Sequence, residues 1–227
     1  MVKIFCAIDT PDLDRAQELA RMIGPVTGGV KLGLEFFNAY GPQGLEKVRE
    51  ACPEAKLFVD LKYHDIPNTV AGAVRALSSN LEPEYLNVHA AGGRAMMEAA
   101  LGAVQGKSKL LAVTILTALS EGDLQEVGYC HVMKEQVLRM AKLTQQAGLA
   151  GIVCSSHEIS MVREALGDEF ALMVPGIRPQ GADLGDQKRV MGPKEALDAG
   201  ATHLVIGRPI TGADDPAKAA QEILESL

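Results

Sequence analysis

The chain has 227 residues, 47% of them hydrophobic and 22% charged, with a formal net charge of −7; this is ordinary globular composition, with enough length to bury a full core as one larger domain. The acidity argues against general binding of nucleic acid or of an anionic membrane, since both need a basic surface to release counterions or meet headgroups. An anionic ligand must therefore be held by a local site.

Cys6, Cys52, Cys130 and Cys154 lie far apart with no C-x-x-C pair, which supports neither a zinc knuckle nor a redox motif and fits reduced thiols in a cytoplasmic protein. The amino terminus carries Asp9, Asp12 and Asp14 and no apolar signal core. No run reaches the roughly 18 apolar residues of a membrane span, so the expectation is a soluble, cytoplasmic protein.

Strand and helix signals alternate eight times. Residues 4–8 are an apolar run ending in Asp9, and 12–23 carry apolar residues at helical spacing that stop at Gly24. A second strand covers 29–32, with Lys31 near its end, and a helix over 44–51 follows the turn at Tyr40-Gly-Pro. The third strand, 56–63, holds Asp60 and Lys62; a period of two sets them on one face, about 7 Å apart along the backbone. Asp65 sits where an N-cap would, Pro67 fits a first helical turn, and Thr69 begins an amphipathic run that ends near 79.

The fourth unit pairs a strand over 85–90 with a helix over 94–103. The fifth strand, 110–116, ends in Thr117, and its helix over 135–146 follows a longer polar connection. The sixth unit runs from a strand at 151–154 to a helix at 157–166. Strand 171–174 leads into Pro175-Gly-Ile-Arg178, a long glycine-containing loop and a short helix over 193–199. Strand 203–206 ends in Gly207-Arg208, and a helix over 216–224 closes the chain. Such alternation implies parallel strands joined by right-handed crossovers. At this length a closed (β/α)8 TIM barrel, one α/β domain over residues 1–227, is preferred to an open doubly wound sheet. No G-x-G-x-x-G or Walker pattern follows a strand, which weighs against dinucleotide or nucleoside-triphosphate binding.

Asp9, Lys31, Asp60, Lys62, Thr117, Arg178 and Arg208 all fall at or just past strand carboxyl ends, the face on which barrel active sites are built. Any one of them alone reads as a solvated loop residue, and an isolated D-x-K reads as a structural ion pair; their common phase points to a site. Two acids beside one lysine leave net negative charge in a confined place, which disfavours a further anion unless its charge is about to leave. Gly207 and Arg208 after the eighth strand suit a phosphate, with backbone N–H groups from a nearby short helix. The stretch 178–189 reads as a lid, with Arg178 and Gln187 available to the same phosphate. His64, His89, His131, His157 and His203 lack metal-ligand spacing.

The run Asp60-Leu-Lys-Tyr-His-Asp-Ile-Pro-Asn-Thr69 resembles the signature of the orotidine 5'-phosphate decarboxylase family in its bacterial form. Supporting matches are A-I-D ending at Asp9, V-K-L-G around Lys31, N-V-H-A-A-G-G over 87–93, V-T-I-L-T ending at Thr117, V-P-G-I-R-P-Q-G over 174–181, Gln187 beyond it, and V-I-G-R-P-I over 205–210. The resemblance implies a cofactor-independent, metal-free decarboxylase working as a homodimer. It implies Lys62 as proton donor to C6, Asp60 against the substrate carboxylate, and Lys31 and Asp9 at the ribose. Asp65 and Ile66 would reach across the interface into the partner's site. Thr69 and Thr117 would be further substrate contacts, with Ser120 another candidate beside the pyrimidine. Arg178, Gln187, Gly207 and Arg208 would hold the phosphate. Ala118 and Gly192 depart from the family pattern, the first near the base contacts and the second at a helix cap.

Rival expectations are a metal-dependent sugar-phosphate decarboxylase of the same superfamily, a Schiff-base aldolase using Lys62 or Lys31, and a non-catalytic phosphoribose-binding barrel. Lys31 and the I-P-N-T continuation speak against the first, which carries a glutamate where Lys31 stands. Adjacent aspartates speak against the second, because they raise a lysine's pKa. The intact charged set speaks against the third.

Overall fold

The computed structural model describes residues 2–179 and 191–227. Eight parallel strands close into a barrel in the order β1 to β8, with helices between them. The strands are β1 Ile4–Ala7, β2 Gly29–Gly33, β3 Lys56–Tyr63, β4 Tyr85–His89, β5 Lys109–Val113, β6 Gly151–Val153, β7 Ala171–Val174 and β8 His203–Ile206. The helices are α1 Leu13–Thr27, α2 Leu34–Ala51, α3 Pro67–Leu81, α4 Gly93–Ala103, α5 Glu121–Glu126, α6 Met133–Gln146, α7 Ile159–Leu166, α8 Pro193–Asp198, α9 Arg208–Thr211 and α10 Pro216–Glu225. This is the (β/α)8 TIM barrel that the alternating pattern implied. None of the described helices is long and apolar enough to cross a membrane.

Two apolar layers hold the barrel. Outward-facing strand residues such as Ile4, Cys6, Leu32, Val59 and Leu86 pack against the helices. Inward-facing Phe5, Ala7, Phe58, Leu111, Val113, Met173 and Val205 fill the interior. The period of two along each strand divides the layers.

Several boundaries differ from the sequence expectation for identifiable reasons. The first helix does not stop at Gly24. It runs on to Gly28, which takes the left-handed conformation (φ 72°) and returns its N–H to Gly24 O. Gly24 serves packing instead, since a side chain there would collide with Cys52 Sγ. The second helix begins at Leu34, ten residues early, and the expected turn at Tyr40-Gly-Pro is a kink inside it at Gly41 (φ 61°). The fifth strand ends at Val113, where Thr114 N–H and hydroxyl both turn to Val153 O. The polar connection after it contains α5, capped by Ser120 and Asp123 in a reciprocal capping box.

At the amino-terminal end of the barrel Phe5 stands edge-on to Phe58, Tyr85 and His203, with ring centroids 6.0, 5.7 and 5.5 Å away. His203 Nδ1 lies 2.7 Å from Val2 O and its Nε2 lies 2.9 Å from the Tyr85 hydroxyl. A carbonyl can only accept, so Nδ1 carries the proton and Nε2 accepts from Tyr85. Burial is the main force holding the His203 pKa below the usual histidine value. The folded state therefore binds its proton later than the unfolded chain as pH falls, and this group's contribution is complete above pH ~6.5 and shrinks below it. The stability gap between the wild type and His203→Gln, read as urea midpoints, is expected to narrow between about pH 7.5 and 5.5. A gap that stays constant would show that His203 does not titrate in this way.

Candidate active site

The site grows from an irregularity in β3. Leu86 pairs with Val59 and Val88 with Tyr63, so the pairing slips between those two residues. Lys62 lies in this slip with φ 53°, a left-handed conformation that costs a non-glycine residue on the order of 1–2 kcal/mol. Its N–H leaves the ladder and donates instead to Asn87 Oδ1 at 2.8 Å. Strict alternation was expected to set Lys62 beside Asp60. The two do meet, but through the slip and not through a regular strand.

Around Asp60 the charges form a line across neighbouring strands. Asp60 Oδ1 accepts from Lys62 Nζ at 2.6 Å and from Asn87 Nδ2 at 2.8 Å. Asp60 Oδ2 lies 3.4 Å from Lys31 Nζ, and Lys31 Nζ donates to Asp9 Oδ1 at 3.1 Å. Lys31 is 6% exposed, and Gly33 makes room for it, because a Cβ there would stand 3.1 Å from Nζ. Burial pushes the Lys31 pKa down, but Asp60 and Asp9 outweigh it and the net shift is upward. Burial likewise pushes Asp60 up, while Lys31, Lys62 and the hydrogen bond from Asn87 bring it below its usual value. Both shifts favour the charged forms.

Beside this line lies a cavity of about 180 Å³ walled by Phe58, Ile115, Val153, Pro175 and Val205 and reached by Asp60, Lys62 and Thr117. A charged edge on a mostly apolar pocket suits a planar ligand with one anionic substituent. His89 ends β4 with its ring 5.5 Å from His64. Burial, then His64 and Lys62, keep its pKa low.

The remaining expected residues are more scattered. Asp65 does not cap α3, whose N-cap is Ile66 without a side-chain bond. The residue before a proline is held extended, and Asp65 Oδ1 accepts from Ile66 N–H at 2.6 Å. Asp65 is exposed, and among the described residues it forms no ion pair within the chain. The second acid beside the lysines is therefore Asp9, from the end of β1. Thr69 is exposed in the first turn of α3. Ser120 spends its hydroxyl on capping α5, 2.6 Å from Asp123 Oδ2.

Arg178 follows β7 and donates to Ile177 O at 3.0 Å. Gly207 follows β8, and exposed Arg208 opens α9. The two arginines thus leave adjacent strands at the same barrel face. Gln187 and the expected lid beyond Pro179 lie outside the described residues. Gly192 is the N-cap of α8 and, lacking a side chain, makes no side-chain cap bond. Asn87 was not among the expected site residues. Its signal was a polar residue in the apolar run Tyr85-Leu-Asn-Val, in the inward phase, and it is fully buried.

The profile of a family described as Orotidine 5'-phosphate decarboxylase / HUMPS family matches residues 3–223. The chain is 50% identical to an orotidine 5'-phosphate decarboxylase of Moorella thermoacetica, over 99% of this chain and 92% of that one. It is also 50% identical to the enzyme of the same name from Rhodospirillum rubrum, over 97% and 92%. Among solved structures, orotidine 5'-phosphate decarboxylase from Lactobacillus acidophilus superposes with a TM-score of 0.86 at 34% identity, covering 99% of this chain and 98% of that one.

Removing Asp60 leaves two ammonium groups facing each other around an empty carboxylate position. Asp60→Ala is expected to lower stability by about 3 kcal/mol, because uncompensated buried charge is costly. Urea unfolding near neutral pH measures this, and an unchanged midpoint would mean that the lysines do not need Asp60 as their counter-ion.

Proposed function

The chain belongs to the Orotidine 5'-phosphate decarboxylase / HUMPS family, and from that premise we infer that it is a carboxy-lyase converting orotidine 5'-phosphate to uridine 5'-phosphate and CO2. The reaction is the last step of de novo pyrimidine nucleotide synthesis. The observation that carries the reading is the Lys62 ammonium, 2.6 Å from Asp60, on the charged edge of the apolar cavity at the barrel mouth.

Loss of CO2 from C6 leaves an electron pair in an in-plane orbital that the pyrimidine ring delocalises poorly. The barrier must fall by an amount within the roughly 8–23 kcal/mol that enzymes supply. In the proposed mechanism the substrate carboxylate lies against Asp60, and Lys62 Nζ lies at C6. As the C6–carboxylate bond breaks, negative charge passes from the carboxylate to C6 and comes under the fixed ammonium. Lys62 then gives C6 a proton and recovers one from solvent. Asp60 is already ionised and fixed by its three partners, so it cannot relieve the repulsion by turning away or taking up a proton.

Lys31 and Asp9 are assigned to the ribose, Thr117 to the pyrimidine and Thr69 to a further substrate contact. Arg178, Gln187, Gly207 and Arg208 are assigned to the phosphate, with Ser120 a secondary candidate at the base. Phosphate binding at that distance would help hold the carboxylate against Asp60, so its loss should reach turnover as well as affinity. We further propose a homodimer in the cytoplasm, with Asp65 and Ile66 entering the partner's site. What supports the dimer is that Ile66 is 66% exposed at the barrel mouth and that the Asp65 carboxylate stands apart from its own chain's charge line. A metal-dependent sugar-phosphate decarboxylase is the second reading. Lys31 counts against it, since an ammonium stands between Asp9 and Asp60 where that chemistry calls for a third carboxylate.

Orotidine 5'-phosphate is expected to be consumed at the same rate with and without chelator in a spectrophotometric assay; loss of activity in chelator would favour the metal-dependent reading. Lys62→Ala should abolish turnover while uridine 5'-phosphate still binds, and retained turnover would remove the proton-donor role. Arg208→Ala should lower kcat/KM on the order of 10²-fold or more with the fold intact. Near-normal kinetics would take the phosphate away from Arg208.

A further inference from the structure

One side chain ties the backbone of Lys62 to the carboxylate that holds its ammonium. Asn87 Oδ1 accepts the Lys62 backbone N–H at 2.8 Å, and Asn87 Nδ2 donates at 2.8 Å to Asp60 Oδ1, the same oxygen that holds Lys62 Nζ at 2.6 Å. The contacts close a ring from Lys62 backbone to Asn87, to Asp60, and back to the Lys62 ammonium. Both amide orientations are fixed by chemistry, because a backbone N–H requires the oxygen and a carboxylate requires the nitrogen. We propose that Asn87 is the positioning residue of this site, setting the left-handed backbone of Lys62 and the rotation of Asp60 so that the ammonium is aimed at the reacting carbon. This rests on the decarboxylase reading above.

No other residue type of this size does both jobs. Aspartate keeps the acceptor for Lys62 N–H but sets a second carboxylate against Asp60. Leucine leaves a buried N–H unpaired at a residue that already carries φ 53°. Serine is too short to span both partners. Asn87 is also uncharged, so it orients the network without disturbing its balance of two lysines and two acids. The groups that face Asp60 are Lys31 from β2, Lys62 from its own strand, and Asn87 and His89 from β4, with Asp9 reaching it through Lys31.

The test is the pH profile of Asn87→Asp beside the wild type, with orotidine 5'-phosphate as substrate. Wild-type turnover comes first; its absence would sink the decarboxylase reading and not the positioning role. Given wild-type turnover, kcat of Asn87→Asp is expected to fall ~10²-fold or more while KM stays within about fivefold, as for a misplaced reacting group. The acid limb of kcat/KM should move up by about one pH unit, because Asp60 loses a donor and gains a like charge. A wild-type profile would overturn the proposal. So would a joint loss in kcat and KM with an unmoved acid limb, which is what a merely structural residue gives. Should Asn87→Asp not fold, amide hydrogen exchange at Lys62 in the wild-type protein decides. Strong protection is expected, and exchange as fast as at exposed Asp65 would overturn it.

Discussion

One carboxylate with no freedom left is what the site depends on. Asp60 gives Oδ1 to Lys62 and Asn87 and turns Oδ2 to Lys31, so each oxygen is committed before any ligand arrives. A carboxylate in that state cannot rotate to avoid an incoming anion, and its lowered pKa denies it neutralisation by a proton. Lys31 and Lys62 are fixed in turn by the same group. The arrangement is preorganised in the physical sense: the cost of orienting the charges is met in folding and is not charged again at each turnover.

The barrel separates two kinds of polar chemistry along its axis. At the amino-terminal end Tyr85 and His203 form a hydrogen-bonded pair inside an aromatic cluster, which satisfies buried polar atoms, while the charges of that end, Glu84 and Lys109, pair at its half-exposed rim. One pleat further along β4 stands Asn87, and on the neighbouring strand Asp60 follows Phe58 on the inward face. Inside the barrel polarity therefore rises toward the carboxyl ends of the strands, where opposite charges outweigh the cost of burial and keep Lys31 and Asp60 ionised. The same inward phase that closes the bottom of the barrel delivers the charged groups to its top.

Strand positions and inward phase were legible in the sequence because near-continuous apolar runs leave little choice; β3, β7 and β8 have the expected bounds. Helix ends were less so. Gly24 reads as a stop, yet a tertiary neighbour, Cys52, is what requires a glycine there. Asp9, Lys31, Asp60 and Lys62 could be named from their common phase, and the structure brings all of them into one line. Asp65 looked like their neighbour in sequence and stands apart in space, since Pro67 holds the preceding backbone extended and turns the chain away. Asn87 showed only as a polar residue in the inward phase of an apolar run; its partners could not be named, because they meet where two strands slip in register, and a slip leaves no pattern in either strand's own sequence.

The left-handed backbone at Lys62 carries an evolutionary corollary. Strain of this kind persists only while something requires it. A descendant of this chain relieved of its reaction would shed this strain by placing glycine or asparagine at position 62, where both residues accept φ 53° more readily than lysine does, once Asp60 had also been replaced and the lysine was no longer needed as its partner. The bend in this one strand is thus a mark that working copies keep and retired copies lose.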